Sequence, residues 1–317
     1  MVLAYLNIFA IFALMFVGYF LSYKKWFTNH TADVFSKMVL NISLPFGMFI
    51  TITEKFSKAE FIHLIGSIIV PVLSMIIAYW ISKLVGQLIG LKQGQLGTFS
   101  TMFTCSNTIF IGLPINIAIF GEKSIPYALI YYIANTTFFW TWGVYKIATD
   151  SNAIGGDDSK IHYDFKSGLK KILNPAILGF SFGIIWLLTG IKVPISFTNF
   201  ANYLGNLTTP LSMFIIGITV YYLGVRTLKL NKAIVAVLVG RFIISPLIII
   251  LLTRIIPIPS MMAKVFFIQS SMPIQNSVPI LARMYDADVE FATSTLGYTV
   301  LSYLAVVPIL LAILPYI

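Results

Sequence analysis

Charged side chains are scarce in this sequence, acidic ones most of all. Asp, Glu, Lys and Arg make up 10% of its 317 residues, against roughly 25% in soluble domains. With 58% hydrophobic residues and a mean hydropathy of +0.90, the composition is that of an integral membrane protein. Cys105 is the only cysteine, so an internal disulfide is excluded. The eleven carboxylates all fall in loops or at the ends of apolar runs. Proton relays and cation pumps usually rest on carboxylates inside the membrane, so a cation substrate or an Asp-pair antiporter is disfavoured. His30, His63 and His162 are scattered at loops or loop edges and make no metal-ligand pattern. No Gly-x-x-x-x-Gly-Lys-Ser/Thr segment provides for ATP, and no cofactor is implied. A catalytic Asp pair or Ser/His arrangement is also missing, which speaks against an intramembrane enzyme. The first apolar run, Val2–Leu21, follows no Lys or Arg and precedes no small-residue cleavage pattern, so it reads as a first span and not a cleavable signal.

What is present is a series of apolar runs. A membrane helix needs about 20 mostly apolar residues, and ten segments qualify: roughly 3–22, 34–53, 62–84, 95–119, 124–148, 171–190, 200–223, 231–252, 258–284 and 291–315. The net charge of +10 is not a nucleic-acid footprint, because the basic residues lie on connectors between these runs. Of the 21 Lys and Arg residues, fourteen fall on one side, six on the other, and Arg241 lies within a span. The richer side is cytoplasmic, which puts both termini outside. The most polar connector, Thr149–Lys171, divides the chain into 1–148, a cytoplasmic loop 149–170, and 171–317.

Two spans are interrupted. Thr104–Pro114 reads Thr-Cys-Ser-Asn-Thr-Ile-Phe-Ile-Gly-Leu-Pro, and Gln269–Pro279 reads Gln-Ser-Ser-Met-Pro-Ile-Gln-Asn-Ser-Val-Pro. Irregular backbone at membrane depth survives only where protein or a cavity receives it. Paired broken helices in corresponding halves are the best sequence pointer to a transporter binding site. The halves do correspond. At an offset of 165, five of the ten positions from Asn41 to Ile50 are identical in Asn206–Ile215, and Pro114 falls on Pro279, Ser106 on Ser271 and Gly18 on Gly183. Five spans per half make the second half enter the membrane inverted. The expected fold is thus all-α and polytopic, with ten transmembrane helices in two inverted five-helix repeats and crossed broken helices four and nine.

The candidate substrate-binding residues follow from the breaks. Pro114 and Pro279 stand where a second half-helix starts, a position proline suits. The free N–H groups and dipole at such a start favour an anion. Ser106, Asn107, Ser270, Ser271 and Asn276 either cap exposed backbone or touch the ligand. Asn41 and Asn206 each need a partner inside a span, either a neighbouring helix or the ligand. Arg241, about ten residues from either end of the 231–252 run, pairs either with a substrate carboxylate or with the free carbonyls of a broken helix. Arg283, four residues after Pro279, either joins the site or snorkels to the cytoplasmic surface.

These motifs resemble the auxin efflux carrier family, which includes the plant PIN carriers and bacterial malate or malonate permeases. The resemblance rests on Asn41-x-x-Leu-Pro45, on Ser106-Asn107-Thr108-x-Phe110-x-Gly112-x-Pro114 with Phe120-Gly121, and on Met272-Pro273 through Pro279 with Ala282. It covers the whole chain. It implies a fold similar to that of bile-acid symporters and sodium/proton antiporters, elevator-type motion, a scaffold domain that forms a homodimer in the lipid bilayer, and small organic anions as substrates. It makes Asn107 and its seventh-helix counterpart Asn206 substrate contacts. The short central connector favours the bacterial carriers over auxin transport. A different amphipathic anion, or a membrane sensor on a carrier fold, is the alternative. The orientation is open to direct test. In a Cys105→Ser background, Tyr316→Cys should be labelled by an impermeant thiol reagent applied outside, and Asp158→Cys should not; the opposite pattern overturns the assignment.

Overall fold

The structure is a computed structural model that describes residues 2–55, 66–92, 94–152, 175–224 and 230–317. The polar connector expected between the halves lies almost wholly outside the described residues, as do Lys58, His63, His162, Arg226 and Lys229. Every regular element among the described residues is helical. Five helical stretches are long and apolar enough to span a bilayer: Asn29–Glu54, Gly66–Leu88, Ile195–Leu223, Lys232–Ile255 and Val289–Tyr316. Shorter apolar helices include Phe9–Tyr23, Thr108–Phe120 and Ile177–Thr189. This is the architecture of a multi-pass membrane protein.

Proline has shaped several of these helices. Four π-helical segments occur among the described residues: Val39–Ser43, Thr108–Gly112, Phe139–Gly143 and Gly240–Ile244. Three of them are followed, two residues later, by a proline: Pro45, Pro114 and Pro246. A proline ring has no N–H to give the carbonyl four residues back and collides with it. In all three cases that carbonyl belongs to the middle residue of the π segment: Asn41, Phe110 or Phe242. Widening the turn to a five-residue register, as in the Leu44 N–H bond to Val39 O and the Ser245 N–H bond to Gly240 O, passes over the missing donor. Asn41 therefore lies in a π turn. It is exposed, and its Nδ2 donates to its own helix at Lys37 O (2.8 Å).

The chain forms two compact units. The first comprises Met1–Ser67, Ile109–Ile130 and Leu173–Tyr222, and the second Ile68–Thr108, Tyr131–Ile172 and Leu223–Ile317. Each draws on both sequence halves. In the first, the Leu44–Lys55 and Pro175–Thr189 helices pack closely enough that a methyl group on Gly179 would run into the Pro45 backbone. Small residues that let backbones approach are the usual means of helix association in lipid. An aromatic cluster of Phe49, Phe182, Trp186 and Phe197 adds stacked and edge contacts, with ring centroids 5.4–6.0 Å from Phe49.

In the second unit, the Leu96–Thr104 helix begins at Gln95 without a side-chain cap of its own. Asp150 replaces it from another helix, accepting from Gly97 N (2.8 Å) and Thr98 N (2.6 Å). Burial pushes the Asp150 carboxyl above its usual range even against these donors. Gly179→Val should lower thermal stability in detergent by about 1–3 kcal/mol, the usual cost of overpacking. An unchanged melting midpoint would show that the two helices can separate freely.

Candidate functional site

Both predicted interruptions are present. The Leu96–Thr104 helix stops at Cys105, whose backbone is extended, and helical structure resumes at Thr108. The Ser260–Ser270 helix stops at Ser271, and helical structure resumes at Val278. Pro279 stands at the start of its half-helix as expected. Pro114 also occupies the start of an α-helix, Leu113–Phe120, but the Thr108–Gly112 π segment precedes it. The break itself is therefore earlier than the proline. It lies at Cys105–Asn107, where Ser and Asn compete for backbone hydrogen bonds and disfavour continuation.

The two breaks meet within the second unit. Ser106 and Ile274 form an isolated antiparallel bridge, and Asn107 N donates to Pro273 O at 2.8 Å. Above this short ladder the side chains join as well, with Asn107 Nδ2 donating to Asn276 Oδ1 at 3.1 Å. Asn107 is buried and Asn276 half-buried. Gln269 Nε2 donates to Thr108 O at 3.3 Å, tying the end of one half-helix to the start of another.

The bridge uses only one edge of the first break. The other edge, Ser106's own N–H and C=O, goes to Asn135 on the Ile125–Phe138 helix. Asn135 Oδ1 accepts from Ser106 N and Asn135 Nδ2 donates to Ser106 O, both at 2.9 Å. A single side-chain amide thus stands in for a third strand. Asn135 was not among the residues singled out from sequence. An asparagine within an apolar run was the available signal, but at the repeat offset it falls on Val300, so the internal comparison does not point to it.

Arg241 underlies the whole arrangement. It is fully buried in the Gly240–Ile244 segment. Its Nη1 donates to Phe103 O (3.2 Å) and Thr104 O (2.8 Å), its Nη2 to Ser270 O (2.5 Å) and its Nε to Met272 O (3.1 Å). Ser245 Oγ is 3.5 Å from Nη1. Of the two roles open from sequence, the geometry has the carbonyl one. The guanidinium gathers the C-terminal carbonyls of both interrupted helices, where their dipoles place negative charge.

The remaining predicted residues divide. Ser270 and Ser271 are buried, and each hydroxyl donates back to Phe267 O (2.8 and 2.9 Å), capping its own helix. Cys105 is buried at the first break. Arg283 is exposed in the last turn of the Val278–Met284 helix. Asn206 lies in the first unit, capping the C-terminus of the Ile195–Gly205 helix. It lines a cavity of about 340 Å³ with Asn202, Thr51, Thr208, Glu54 and Glu122. Asn41 does not line that cavity.

Comparison with known proteins places this geometry in context. Residues 3–313 match the model of a family described as membrane transport protein. An uncharacterised transporter of Methanocaldococcus jannaschii is 26% identical over 297 residues, covering 90% of this chain and 91% of the relative. One from Methanothermobacter thermautotrophicus is 23% identical, covering 96% of each. The uncharacterised transporter YfdV of Escherichia coli is 22% identical, covering 94% of each. If Asn135 holds the first break, Asn135→Leu should leave Ser106 N–H buried without its partner and Ser106 C=O with Thr108 N–H alone, at about 1–3 kcal/mol for the orphaned donor. Thermal unfolding in detergent should show that loss, whereas an unchanged midpoint would mean the break needs no such support.

Proposed function

The chain belongs to the membrane transport protein family, the auxin-efflux-carrier-like transporters, and on that premise we propose that it is a secondary transporter of small organic acid anions. Malate- or malonate-like carboxylates are the leading candidates. The substrate binds at the crossing of the two breaks, against Asn107 and Asn276, and the carrier operates by elevator-type alternating access in the cytoplasmic membrane.

One observation supports an anion above others. The charge beneath the crossing is Arg241, whose hydrogen-bond partners are carbonyls and a hydroxyl and not carboxylates. Carbonyl dipoles offset a formal positive charge without cancelling it, and in a low-dielectric interior the remainder attracts a negative ligand. Amide groups such as those of Asn107 and Asn276 can then orient a carboxylate. Ser106 contributes position more than contact, since its backbone N–H and C=O are already held by Asn135.

The ten-helix, inverted-repeat reading fits the same picture. Residues 165 apart, Pro114 and Pro279 both stand in the helical stretch that follows an interruption, Pro279 at its start and Pro114 after the Thr108–Gly112 π segment. Pro279 keeps its half-helix from extending backwards as an unbroken ladder, whereas the wider turn before Pro114 absorbs that proline. Within that scheme the repeats are 1–148 and 171–317, and both termini face outward. A homodimer built on the scaffold domain completes the expectation from the family.

Counterflow in proteoliposomes tests the proposal, with malate, malonate, lactate, citrulline and indole-3-acetate in parallel. Uptake of a carboxylate anion, and not of the net-neutral zwitterion citrulline, is the expected result. Asn107→Ala, Asn276→Ala and Pro279→Ala should each weaken binding of the transported anion by roughly tenfold or more, since a charge-assisted hydrogen bond is worth about 1.5–3 kcal/mol. Calorimetry on purified protein measures this, and unchanged affinity across all three would move the site elsewhere.

A further inference from the structure

We infer that Arg241 is a resident counter-ion: it fills the place at the crossing where a coupling metal cation would otherwise be held, so that the crossing is assembled without sodium or another alkali ion. The inference rests on the transporter reading for its meaning, but its evidence is the geometry alone.

Interrupted membrane helices leave carbonyls without donors at the end of each first half. In carriers built this way, such carbonyls and half-helix C-termini are the ligands of the coupling cation. Here the equivalent set is Phe103 O and Thr104 O from one interrupted helix, with Ser270 O and Met272 O from the other. All four lie 2.5–3.2 Å from guanidinium nitrogens. Two helix C-terminal dipoles therefore end on one cation. That cation is covalently part of the protein, enters from a third helical element and is 0% exposed. A metal ion drawn to the same carbonyls would meet the guanidinium at close range in a medium that screens little, and like charges repel there.

A neutral donor could satisfy the same carbonyls at lower desolvation cost, because burying a charge is expensive. The choice of arginine therefore points to the charge itself. A planar fork with five N–H donors can reach carbonyls of two separate helix ends at once. A sodium ion would hold the crossing only when bound. Arginine makes the hold permanent, and conformational change at the crossing is then independent of an ion gradient.

Thermal unfolding of the purified protein tests this, because anything that binds the native state raises its melting midpoint. At constant ionic strength the wild type should melt at the same temperature in choline, lithium, sodium and potassium chloride. Arg241→Ala should melt lower, and millimolar guanidinium or methylguanidinium should recover part of the loss while leaving the wild type unmoved. Sodium should raise the midpoint of Arg241→Ala above its value in choline. Sodium-selective stabilisation of the wild type would overturn the inference, and that arm decides even if Arg241→Ala does not fold. Failure of guanidinium and sodium alike to recover a folded Arg241→Ala would overturn it too. Neither readout uses a substrate. Absence of counterflow with every anion would undo the transport proposal and leave this result standing, while a sodium response of the wild type would undo this inference whatever counterflow shows.

Discussion

A chain that interrupts its helices inside an apolar environment must give every exposed backbone group a partner, and the guanidinium of Arg241 is where this protein meets most of that demand. Four carbonyls from two helix ends converge on it. Without them the charge would be costly to bury. Without the charge the carbonyls would face one another's negative ends. Each therefore makes the other tolerable. The bridge between Ser106 and Ile274 and the amide of Asn135 satisfy further groups at the first break. The substrate reading depends on this frame, because Asn107 and Asn276 are placed by the same short ladder.

Much of the architecture was legible in the residues. Runs of about 20 apolar positions announced the spans, and Ser-Asn-Thr and Ser-Ser-Met-Pro within two of them announced the breaks. Arg241 stood out because a charge in the middle of such a run is rare and costly. Its choice between a substrate and free carbonyls was not legible, since that depends on which helix ends come within reach of its side chain. Asn135 was missed for a related reason. Its importance comes from a partner 29 residues away in sequence. A one-dimensional pattern cannot distinguish it from Asn41, which turns back on Lys37 O.

The prolines were read correctly as disruptive and only partly correctly as to where. Pro114 marks the start of an α-helix, but the chain departs from helical geometry earlier, at Cys105. The intervening π segment was not anticipated. Its logic became visible only when three prolines, Pro45, Pro114 and Pro246, were found to follow π turns at the same spacing. A proline within a span can thus be absorbed by a wider turn without opening the helix. The break at Cys105–Asn107 needed polar residues with side chains able to replace helical hydrogen bonds.

The position of the one thiol gives the protein an internal chemical clock. Cys105 is buried at the junction where the first helix ends. Its sulfur is shielded here, so modification requires a fluctuation that exposes it, and the rate of modification reports how often that happens. No engineered label is required, and no second cysteine competes for the reagent. Alkylation kinetics of the native protein, with and without a transported compound, therefore follow exposure of the residue that precedes Ser106 and Asn107.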